Sequence, residues 1–423
     1  MAASWRGSEC VNELPASRVE CIARDEDDPL GAIAERFFKP QGIIYLDGNS
    51  LGPLPKAAVS RLEEVIEQEW GRDLITSWNK AGWFDLPATL GDRVGRLIGA
   101  APGQTVVCDT TSINIYKCLY AALSLRPGRP VIIAEEAGFP TDLYILEGVL
   151  QATGGTRRLW DKSGSIEDLL DGEVAAVLLS QVDYRTGALL DMEVMTRKVQ
   201  RAGAMMIWDL CHSAGVIPIS LDDWSVDFAA GCTYKYLNGG PGAPAFLYAA
   251  KRHHKDARQP LSGWWGHARP FGFERDYRAD EGIRKFLCGT QPILSLVGVA
   301  CGLDAIEGIP VPTLRRRSQA LTELFIARVD ERLGSTVDIV TPRDMEQRGS
   351  QVSLRFAHGY AVVQAMIAQG VIGDFRAPDI MRFGFSPLYT SFMEAWDAAE
   401  CVADCIAREV WRDARFTKQA QVT

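Results

Sequence analysis

Short, continuously apolar segments recur along the middle of the chain, separated by stretches long enough to form helices. They cover residues 131–134, 175–179, 205–208, 228–231 and 245–249. Strands that are buried on both faces of a parallel sheet have this continuous apolar character. The spacing therefore predicts a doubly wound α/β layer. Because the last two segments lie close together, we expect one antiparallel connection there.

A second set of patterns lies on either side of this central region. A helix is predicted to begin at Pro55, because proline is favoured at the first helical position and an apolar face follows it. Apolar residues repeat at helical spacing in 321–329 and again in 392–402, and the helix or strand spacing of Trp70, Trp160 and Trp396 predicts that these three are core residues. Between these two segments, residues 351–356 and 379–385 alternate like half-buried strands. The last third of the chain therefore predicts a smaller α+β unit.

The strongest break in the pattern is at residues 308–313, where two prolines oppose regular structure. It predicts a large domain over residues 50–307. The second, smaller domain would combine residues 308–423 with the N-terminal arm, residues 1–49.

Composition narrows the class of protein. The chain has 423 residues, 47% hydrophobic and 23% charged, which excludes a disordered protein. Its net charge of −9 disfavours nucleic acid as a partner. Ten cysteines without paired spacing predict reduced thiols and a cytoplasmic location. The absence of any apolar run of about 18 residues predicts no membrane span, and five scattered histidines predict no metal site.

Two charged residues follow neighbouring apolar segments. Asp209 ends the segment 205–208, and Lys235 follows the segment 228–231 just before a glycine-rich loop. In a doubly wound sheet both would point into the crevice at the carboxyl ends of the strands. A carboxylate for a pyridinium nitrogen and a lysine for an aldehyde are what pyridoxal phosphate requires. Singly, such an Asp is commonly a cap and such a Lys is commonly solvated, so the residues alone leave both interpretations open.

A phosphate site is predicted at residues 109–114, where three hydroxyl side chains precede a helical stretch. Hydroxyls and free backbone N–H groups at a helix N-terminus bind phosphate well. An ordinary Ser/Thr helix cap explains the same pattern. Nucleotide-binding loops, zinc-protease motifs and serine-hydrolase elbows do not occur in the sequence.

The chain resembles the kynureninases, class-V aminotransferase-like enzymes that use pyridoxal phosphate, and within that family it resembles the bacterial type. The resemblance extends over nearly the whole chain and rests on the segments 45–52, 139–142, 183–187, 208–212, 233–238, 263–267 and 382–389. The lysine motif alone indicates only the wider group, but the segments 264–267 and 48–52 are specific to kynureninases. The resemblance implies an α/β, fold-type-I architecture: a large domain with a mostly parallel seven-stranded sheet, plus a smaller α+β domain.

The resemblance also assigns roles to residues. The catalytic residues would be Lys235, which forms a Schiff base with the cofactor, Asp209, which pairs with its pyridinium nitrogen, and Tyr234, which transfers a proton. Thr290 would reach the cofactor from the partner subunit. The other cofactor-binding residues, all from the same chain, would be Thr111, Ser112, Phe139, Pro140, Thr141, Asp142, Ser180, His212 and Trp264. The substrate would be bound by Arg382, Trp78, Asn49 and Trp265, with Arg382 holding the α-carboxylate as a bidentate clamp.

The implied reaction is hydrolysis of L-kynurenine, an amino acid with an aryl ketone side chain, to anthranilate and L-alanine. Its place would be tryptophan catabolism by the kynurenine route and NAD biosynthesis, and the enzyme would be a homodimer with shared active sites. Eukaryotic members carry Asn at Thr290 and His near Trp78, and the resemblance links both to 3-hydroxy-L-kynurenine. Their absence here indicates L-kynurenine itself.

Two alternatives keep the fold. A cysteine desulfurase or aminotransferase would use the same cofactor, but a desulfurase needs a loop cysteine, and residues 338–351 contain none. A catalytically inactive binding protein is the other alternative. The presence of Lys235, Asp209 and Arg382 argues against it.

Overall fold

A computed structural model describes residues 14–418 of the chain. The helices are α1 (Arg18–Glu26), α2 (Ala57–Glu64), α3 (Ser77–Lys80), α4 (Leu86–Leu97), α5 (Thr111–Leu125), α6 (Pro140–Thr153), α7 (Met192–Arg201), α8 (Ile293–Ile306), α9 (Val311–Leu333), α10 (Gly359–Ile367) and α11 (Phe392–Ala407). The strands are β1 (Ile44–Tyr45), β2 (Thr105–Val107), β3 (Val131–Glu135), β4 (Thr156–Trp160), β5 (Val174–Ser180), β6 (Met205–Asp209), β7 (Phe228–Gly231), β8 (Phe246–Ala249), β9 (Asp338–Ile339), β10 (Gln351–Arg355), β11 (Val371–Ile372), β12 (Asp374–Arg376) and β13 (Ile380–Gly384).

Seven strands form one mixed sheet in the order β2-β8-β7-β6-β5-β3-β4. Only β8 runs against its neighbours, pairing antiparallel with β7 and with β2. The predicted mostly parallel, seven-stranded sheet and its antiparallel connection are therefore confirmed. Along β5, Val177 and Leu179 pack in one hydrophobic core, whereas Ala176 and Leu178 pack in another. The sheet is thus buried on both faces, which is why its strands have no polar alternation.

Two strands of this sheet, β2 and β4, have no counterpart among the five predicted apolar segments, and β2 is only three residues long. The edge strand β4 begins with exposed residues and carries Arg157 and Arg158 in its middle. Charged side chains are common on edge strands because they oppose pairing with another chain. A second expectation was wrong: Trp70, which its spacing assigns to the core, has 56% of its surface exposed.

The last third of the chain forms a four-stranded antiparallel sheet in the order β12-β13-β10-β9. Met381 and Phe383 of β13, with Phe385 beyond it, pack into a second hydrophobic core together with residues of α9 and α11. Helix α11 begins with a capping box, in which the Ser391 hydroxyl and the Glu394 carboxylate each accept a backbone N–H. This alternation leaves Arg382 on the opposite face of β13 from the core.

The N-terminal segment contacts both cores. Leu30, Ile33 and Phe37 pack with the large-sheet core, while Cys21 and Leu46 pack with the second core. The break between α8 and α9 is only four residues long and contains Gly308 at φ +81°. Within residues 14–418 no single helix has the length and apolarity to cross a membrane; α8 and the segment Val311–Thr336 meet that requirement only as a pair, bent by 80°.

Candidate active site

The carboxyl ends of the central strands open into a cavity of about 300 Å³. Asp209 is the last residue of β6, and it lies opposite Ser180, the last residue of β5, in the parallel register. Lys235 follows β7 in the next loop. The cavity is lined by Thr110, Thr111, Ser112, Phe139, Thr141, Asp142, Ser180, Val182, Tyr184, Asp209, Cys211, His212, Tyr234, Lys235, Gly242, Ala243 and Ala245. The structure therefore brings together Asp209, Lys235 and the predicted phosphate segment.

The lysine contacts a histidine. Nζ of Lys235 lies 3.0 Å from Nε2 of His212, and the same ring nitrogen lies 3.0 Å from the backbone carbonyl oxygen of Asn49. Burial lowers the pKa of His212 well below its ordinary value, and the positive charges of Lys235 and Arg382 lower it further. His212 is therefore a neutral imidazole at physiological pH.

Two carboxyl groups share the floor of the cavity. Asp142 and Asp209 are each only 7% exposed. Burial raises the pKa of Asp142 well above its ordinary value, and the negative charge of Asp209 adds to this, while Lys235 opposes it. The surroundings of Asp142 therefore favour its protonated form more than those of an exposed carboxyl group do. The Asp209 carboxylate accepts a hydrogen bond of 2.8 Å from the backbone N–H of Cys211.

The predicted phosphate segment is the N-terminus of α5. The Thr110 hydroxyl caps the helix by accepting the backbone N–H of Ile113 at 3.3 Å. Asp109 precedes it at φ +49° and is held by an ion pair with the fully buried Lys117. Thr111 and Ser112 in the first turn face the cavity. Both interpretations of this segment, helix cap and phosphate site, are therefore compatible with the structure. Thr110 caps the helix, and the hydroxyls of Thr111 and Ser112 line the cavity.

Part of the cavity wall is aromatic, formed by Phe139 and Tyr184. Phe139 precedes Pro140, the first residue of α6, and 41% of its surface is exposed. The ring of Tyr184 packs edge-on against Phe139, with centroids 5.3 Å apart. The backbone carbonyl oxygen of Tyr184 accepts hydrogen bonds from Gln351 at 3.1 Å and from Arg382 at 2.6 Å. Tyr184 therefore connects the aromatic wall to the second sheet.

Arg382 is buried beside this cavity and already has a partner. Its Nε donates to Oδ1 of Asp374 at 2.7 Å, and its Nη2 donates to Oδ2 of the same carboxylate. Asn49, another predicted substrate residue, is 1% exposed; its side-chain amide donates to Gln351 at 3.2 Å, and its carbonyl faces His212.

Four predicted site residues lie away from the Lys235 cavity within the described chain. Trp265 is fully buried, stacked on Phe84 with centroids 5.4 Å apart and edge-on to Trp78. Trp264 lines a separate surface cavity and is 40% exposed. Thr290 is exposed in the loop before α8.

Several lining residues were not singled out from the sequence. Tyr184, Cys211 and Thr110 line the cavity, and the Cys211 thiol lies 3.5 Å from the Thr111 hydroxyl. Tyr184 and Cys211 lie within the segments 183–187 and 208–212, on which the resemblance rests. Membership of these segments was the sequence signal that could have identified them as site residues. Among residues 14–418, no group of three or more His, Cys, Asp or Glu side chains is arranged to hold a metal ion.

The donor set fits pyridoxal 5′-phosphate. An amine, a carboxylate and a helix N-terminus with two free hydroxyls line one cavity, and they match the aldehyde, the ring nitrogen and the phosphate of that molecule. The exposed ring of Phe139 offers a flat apolar surface for a heteroaromatic ring.

Comparison with known proteins agrees with this chemistry. Residues 314–402 match the family "Kynureninase C-terminal domain". The chain is 50% identical over 414 residues to a kynureninase of Burkholderia pseudomallei, covering 96% of this chain and 100% of that protein. It is 48% identical, with the same coverage, to a kynureninase of Pseudomonas fluorescens.

Solved structures agree on the fold. The apo cysteine desulfurase of Thermococcus onnurineus superimposes with a TM-score of 0.74 at 18% identity, covering 86% of this chain and 95% of that one. A lysine-to-alanine variant of the protein C-DES, with glycine covalently linked to its pyridoxal phosphate, superimposes with a TM-score of 0.77 at 16% identity, covering 88% and 98%. The fold is that of the fold-type-I pyridoxal-phosphate enzymes, and the chain belongs to the kynureninase family.

Proposed function

We propose that the protein is a pyridoxal-phosphate-dependent hydrolase that cleaves the Cβ–Cγ bond of L-kynurenine to give anthranilate and L-alanine. The observation that carries this proposal is the meeting of Lys235 and Asp209 in one cavity of a chain that is 50% identical to a kynureninase. Both groups line this cavity, and they are the kinds of group that the cofactor's aldehyde and ring nitrogen require.

The cofactor would be held by the residues that line the cavity. Lys235 would bind the aldehyde and Asp209 the ring nitrogen, with Phe139 against the ring and Asp142, Thr141, Ser180 and His212 around its edge. Thr111, Ser112 and Tyr234 would bind the phosphate at the N-terminus of α5, whose free N–H groups favour an anion. Bound pyridoxal phosphate withdraws electrons from the substrate's α-carbon and so acidifies its α-proton.

The protein's own residues then move protons. Lys235 removes the α-proton, and the neutral His212 at 3.0 Å adds no positive charge beside it. Tyr234 donates a proton to the oxyanion that develops when water adds to the side-chain ketone. Burial raises the pKa of Tyr234 above its ordinary value, as do the neighbouring thiols, so its hydroxyl keeps its proton at neutral pH.

We propose that L-kynurenine is preferred over 3-hydroxy-L-kynurenine. Trp78 and Thr290 stand where the resemblance expects the His and Asn of enzymes that handle the hydroxylated ring. Trp78 also packs on Trp83 and Trp265 at centroid distances of 5.6 Å and 5.4 Å, so an apolar aromatic wall occupies that position. Side-by-side kinetics on the two substrates test this preference.

We propose a homodimer in which each subunit completes the other's site. An apolar cavity of about 680 Å³ opens between exposed side chains that include Leu54, Ile66 and Leu294, and its lining continues into the Gly240 loop that follows Lys235. A second copy covering this face would bring Thr290 of the partner subunit toward the cofactor. Because Trp264 lines a separate cavity in its own chain, we propose that Trp264 of the partner subunit, and not Trp264 of the same chain, approaches the cofactor phosphate. Sedimentation of wild type and Leu294→Glu tests this; a monomeric wild type would contradict it.

The remaining assignments are also proposals. The division into residues 50–307 and residues 1–49 with 308–423 is supported by the separate core of the last third of the chain, which Cys21 and Leu46 join. Leu30, Ile33 and Phe37 pack instead in the large-sheet core, so the N-terminal arm is shared between the two units. A cytoplasmic location is supported by the nine cysteines among the described residues, none of which is in a disulfide. A role in tryptophan catabolism and NAD biosynthesis rests on family membership.

The test is direct. Purified wild type, supplied with pyridoxal phosphate, is incubated with L-kynurenine, and anthranilate fluorescence is followed. We expect turnover by wild type, and we expect Lys235→Ala to lose both the visible absorbance of the bound cofactor and turnover. Lys198→Ala, on the outer face of α7, is the matched control and should behave as wild type. A wild type that produces no anthranilate, or an active Lys235→Ala variant, would overturn the proposal.

A further inference from the structure

Asp374 and Arg382 face each other across two antiparallel strands. They are register partners in β12 and β13, and they are 1% and 2% exposed. Nε of Arg382 donates to one carboxylate oxygen at 2.7 Å, and Nη2 donates to the other. Asp374 therefore occupies one whole edge of the guanidinium, the edge formed by Nε and Nη2.

The other end of the guanidinium points toward the cavity side. Nη1 donates to the carbonyl oxygen of Tyr184 at 2.6 Å, and Tyr184 lines the cavity. Nη2 also lies 3.3 Å from the Ser50 hydroxyl, which itself donates to Asp374 at 2.9 Å. Nη1 carries a second hydrogen beyond the one given to Tyr184, and the Nη2 hydrogen directed at Ser50 makes only a long contact. A substrate carboxylate that replaces Ser50 at Nη2 could therefore engage the Nη1–Nη2 end of Arg382.

Asp374 holds a second cation as well. Nη2 of Arg376 lies 2.8 Å from Oδ2 of Asp374, the oxygen that Arg382 also uses. Two guanidinium groups therefore share one carboxylate, and burial and the charge of Arg382 lower the pKa of Arg376. Without the carboxylate, two like charges would be left close together with nothing to hold the Nε–Nη2 edge of Arg382 in place.

We propose that Asp374 is a positioning residue, an inference that rests on the function proposed above. Asp374 holds the Nε–Nη2 edge of Arg382, so that the Nη1–Nη2 end meets the α-carboxylate of the substrate. Asp374 does not touch the substrate itself. Its contribution is orientation, because a bidentate guanidinium–carboxylate pair needs both nitrogens in one plane with the ligand.

A positioning role differs from a purely structural ion pair in what it changes. Loss of a structural pair reduces the amount of folded protein and leaves the kinetics of the remaining enzyme unchanged. Loss of positioning weakens the binding of every ligand that carries the α-carboxylate, while turnover of bound substrate changes less. Loss of positioning also removes the enzyme's preference for a ligand with an α-carboxylate over the corresponding amide.

The experiment compares Asp374→Asn with wild type as holoenzymes. We expect KM for L-kynurenine to rise by about tenfold or more, the order of magnitude for a lost charge-assisted hydrogen bond, with a smaller change in kcat. We expect L-alanine to inhibit wild type more strongly than L-alaninamide does. In the variant the two compounds should inhibit about equally. Asp374→Glu, which keeps the charge, should give an intermediate KM.

Asp338→Asn is the matched control. Asp338 forms an ion pair with Arg355 at 2.8 Å in the same sheet, but both side chains are solvent-exposed. This variant should keep the wild-type KM and the wild-type preference for alanine over its amide. If Asp374→Asn does not fold, Asp374→Glu carries the test through its KM and its amide discrimination. Unchanged KM and unchanged discrimination in the folded variant would overturn the inference, whereas a wild type without anthranilate production would overturn the proposed function instead.

Discussion

His212 lies 3.0 Å from the Lys235 amine and 3.0 Å from the Asn49 carbonyl oxygen, and both contacts use the same ring nitrogen. One Nε2 atom of a neutral imidazole either donates or accepts, but not both. If Nε2 carries the hydrogen, it bonds to Asn49 and Lys235 is released. If Nδ1 carries it, Nε2 accepts from Lys235. The two tautomers therefore correspond to a free and a restrained lysine.

We expect His212 not to titrate in the range where histidines usually do. Burial and the nearby cations of Lys235 and Arg382 lower its pKa well below its ordinary value. Nitrogen-15 NMR of histidine-labelled enzyme, with the signal assigned through His212→Asn, should show neutral imidazole shifts from pH 6 to pH 8. A midpoint near the ordinary value of about 6.5 would contradict the neutral assignment.

Thr110→Ala should affect both stability and cofactor affinity. Its hydroxyl caps α5, and removing a Thr cap typically costs about 1 kcal/mol. The same change loosens the first turn, whose hydroxyls face the cavity, so we expect weaker pyridoxal phosphate binding, with rescue by Thr110→Ser.

Ser391→Ala is the control for this prediction, because Ser391 caps α11 in the second core. It should lower the melting temperature without changing the cofactor's dissociation constant. Equal loss of cofactor affinity in both variants would show that the effect is general instability.

Gly52→Ala should displace the loop that carries the lysine. A Cβ at Gly52 would lie 2.4 Å from the carbonyl oxygen of Lys235 and 2.4 Å from Oδ1 of Asn238. The Gly52 N–H also donates to the Tyr234 carbonyl at 2.7 Å. We expect a loss of about 1–3 kcal/mol in the free energy of unfolding and a lower kcat.

Gly148→Ala is the matched glycine variant, since a Cβ there has no neighbour within 4 Å among the described residues. In helix α6 it should be neutral or stabilising by up to about 1 kcal/mol, with normal kcat. Chemical denaturation and steady-state kinetics measure both variants. A normal kcat in Gly52→Ala would contradict the close fit described above.

Asp47→Asn should change how stability depends on pH. Burial raises the pKa of Asp47 to about 7, the charge of Asp374 contributes, and Arg382 and Arg376 oppose it. Because the folded protein binds the Asp47 proton more tightly than the unfolded chain, this residue favours folding at low pH. That contribution is lost as pH rises from about 4 through about 7.

The Asn variant cannot ionise, so its melting temperature relative to wild type should be higher at pH 8 than at pH 5. The contribution of Asp47 to the free energy of unfolding should change by at most a few kcal/mol over this pH range, as proton linkage requires. Thermal unfolding across this range, with Asp338→Asn as an exposed comparison, measures it. A relative melting temperature that falls with rising pH would contradict the sign.

Much of the large sheet could be predicted because its strands are buried on both faces. The segment 228–231 coincides with β7, and 205–208 differs from β6 by one residue. The strand β4 was missed because its exposed, arginine-containing sequence has no apolar continuity. Trp70 was misplaced because helical spacing does not show which face is covered.

The candidate site, like the fold, could be predicted from the sequence only in part. Asp209 and Lys235 could be predicted together because strand ends meet at one edge of a parallel sheet. The Asp374–Arg382 pair could not, since it depends on the register of the three-residue strand β12. The role of Tyr184 in holding Arg382 is exerted by a backbone carbonyl, which every residue type possesses.

The N-terminal segment contacts both hydrophobic cores and then continues to Asn49 and Ser50. Any rotation of one core against the other must therefore bend the chain between Phe37 and Leu46. The end of this tether contacts His212 through Asn49 and Arg382 through Ser50. A displacement of this segment would consequently alter the contact with His212 and the contact with Arg382 together. The proposed binding of the substrate carboxylate and the proposed release of Lys235 would then depend on one movement.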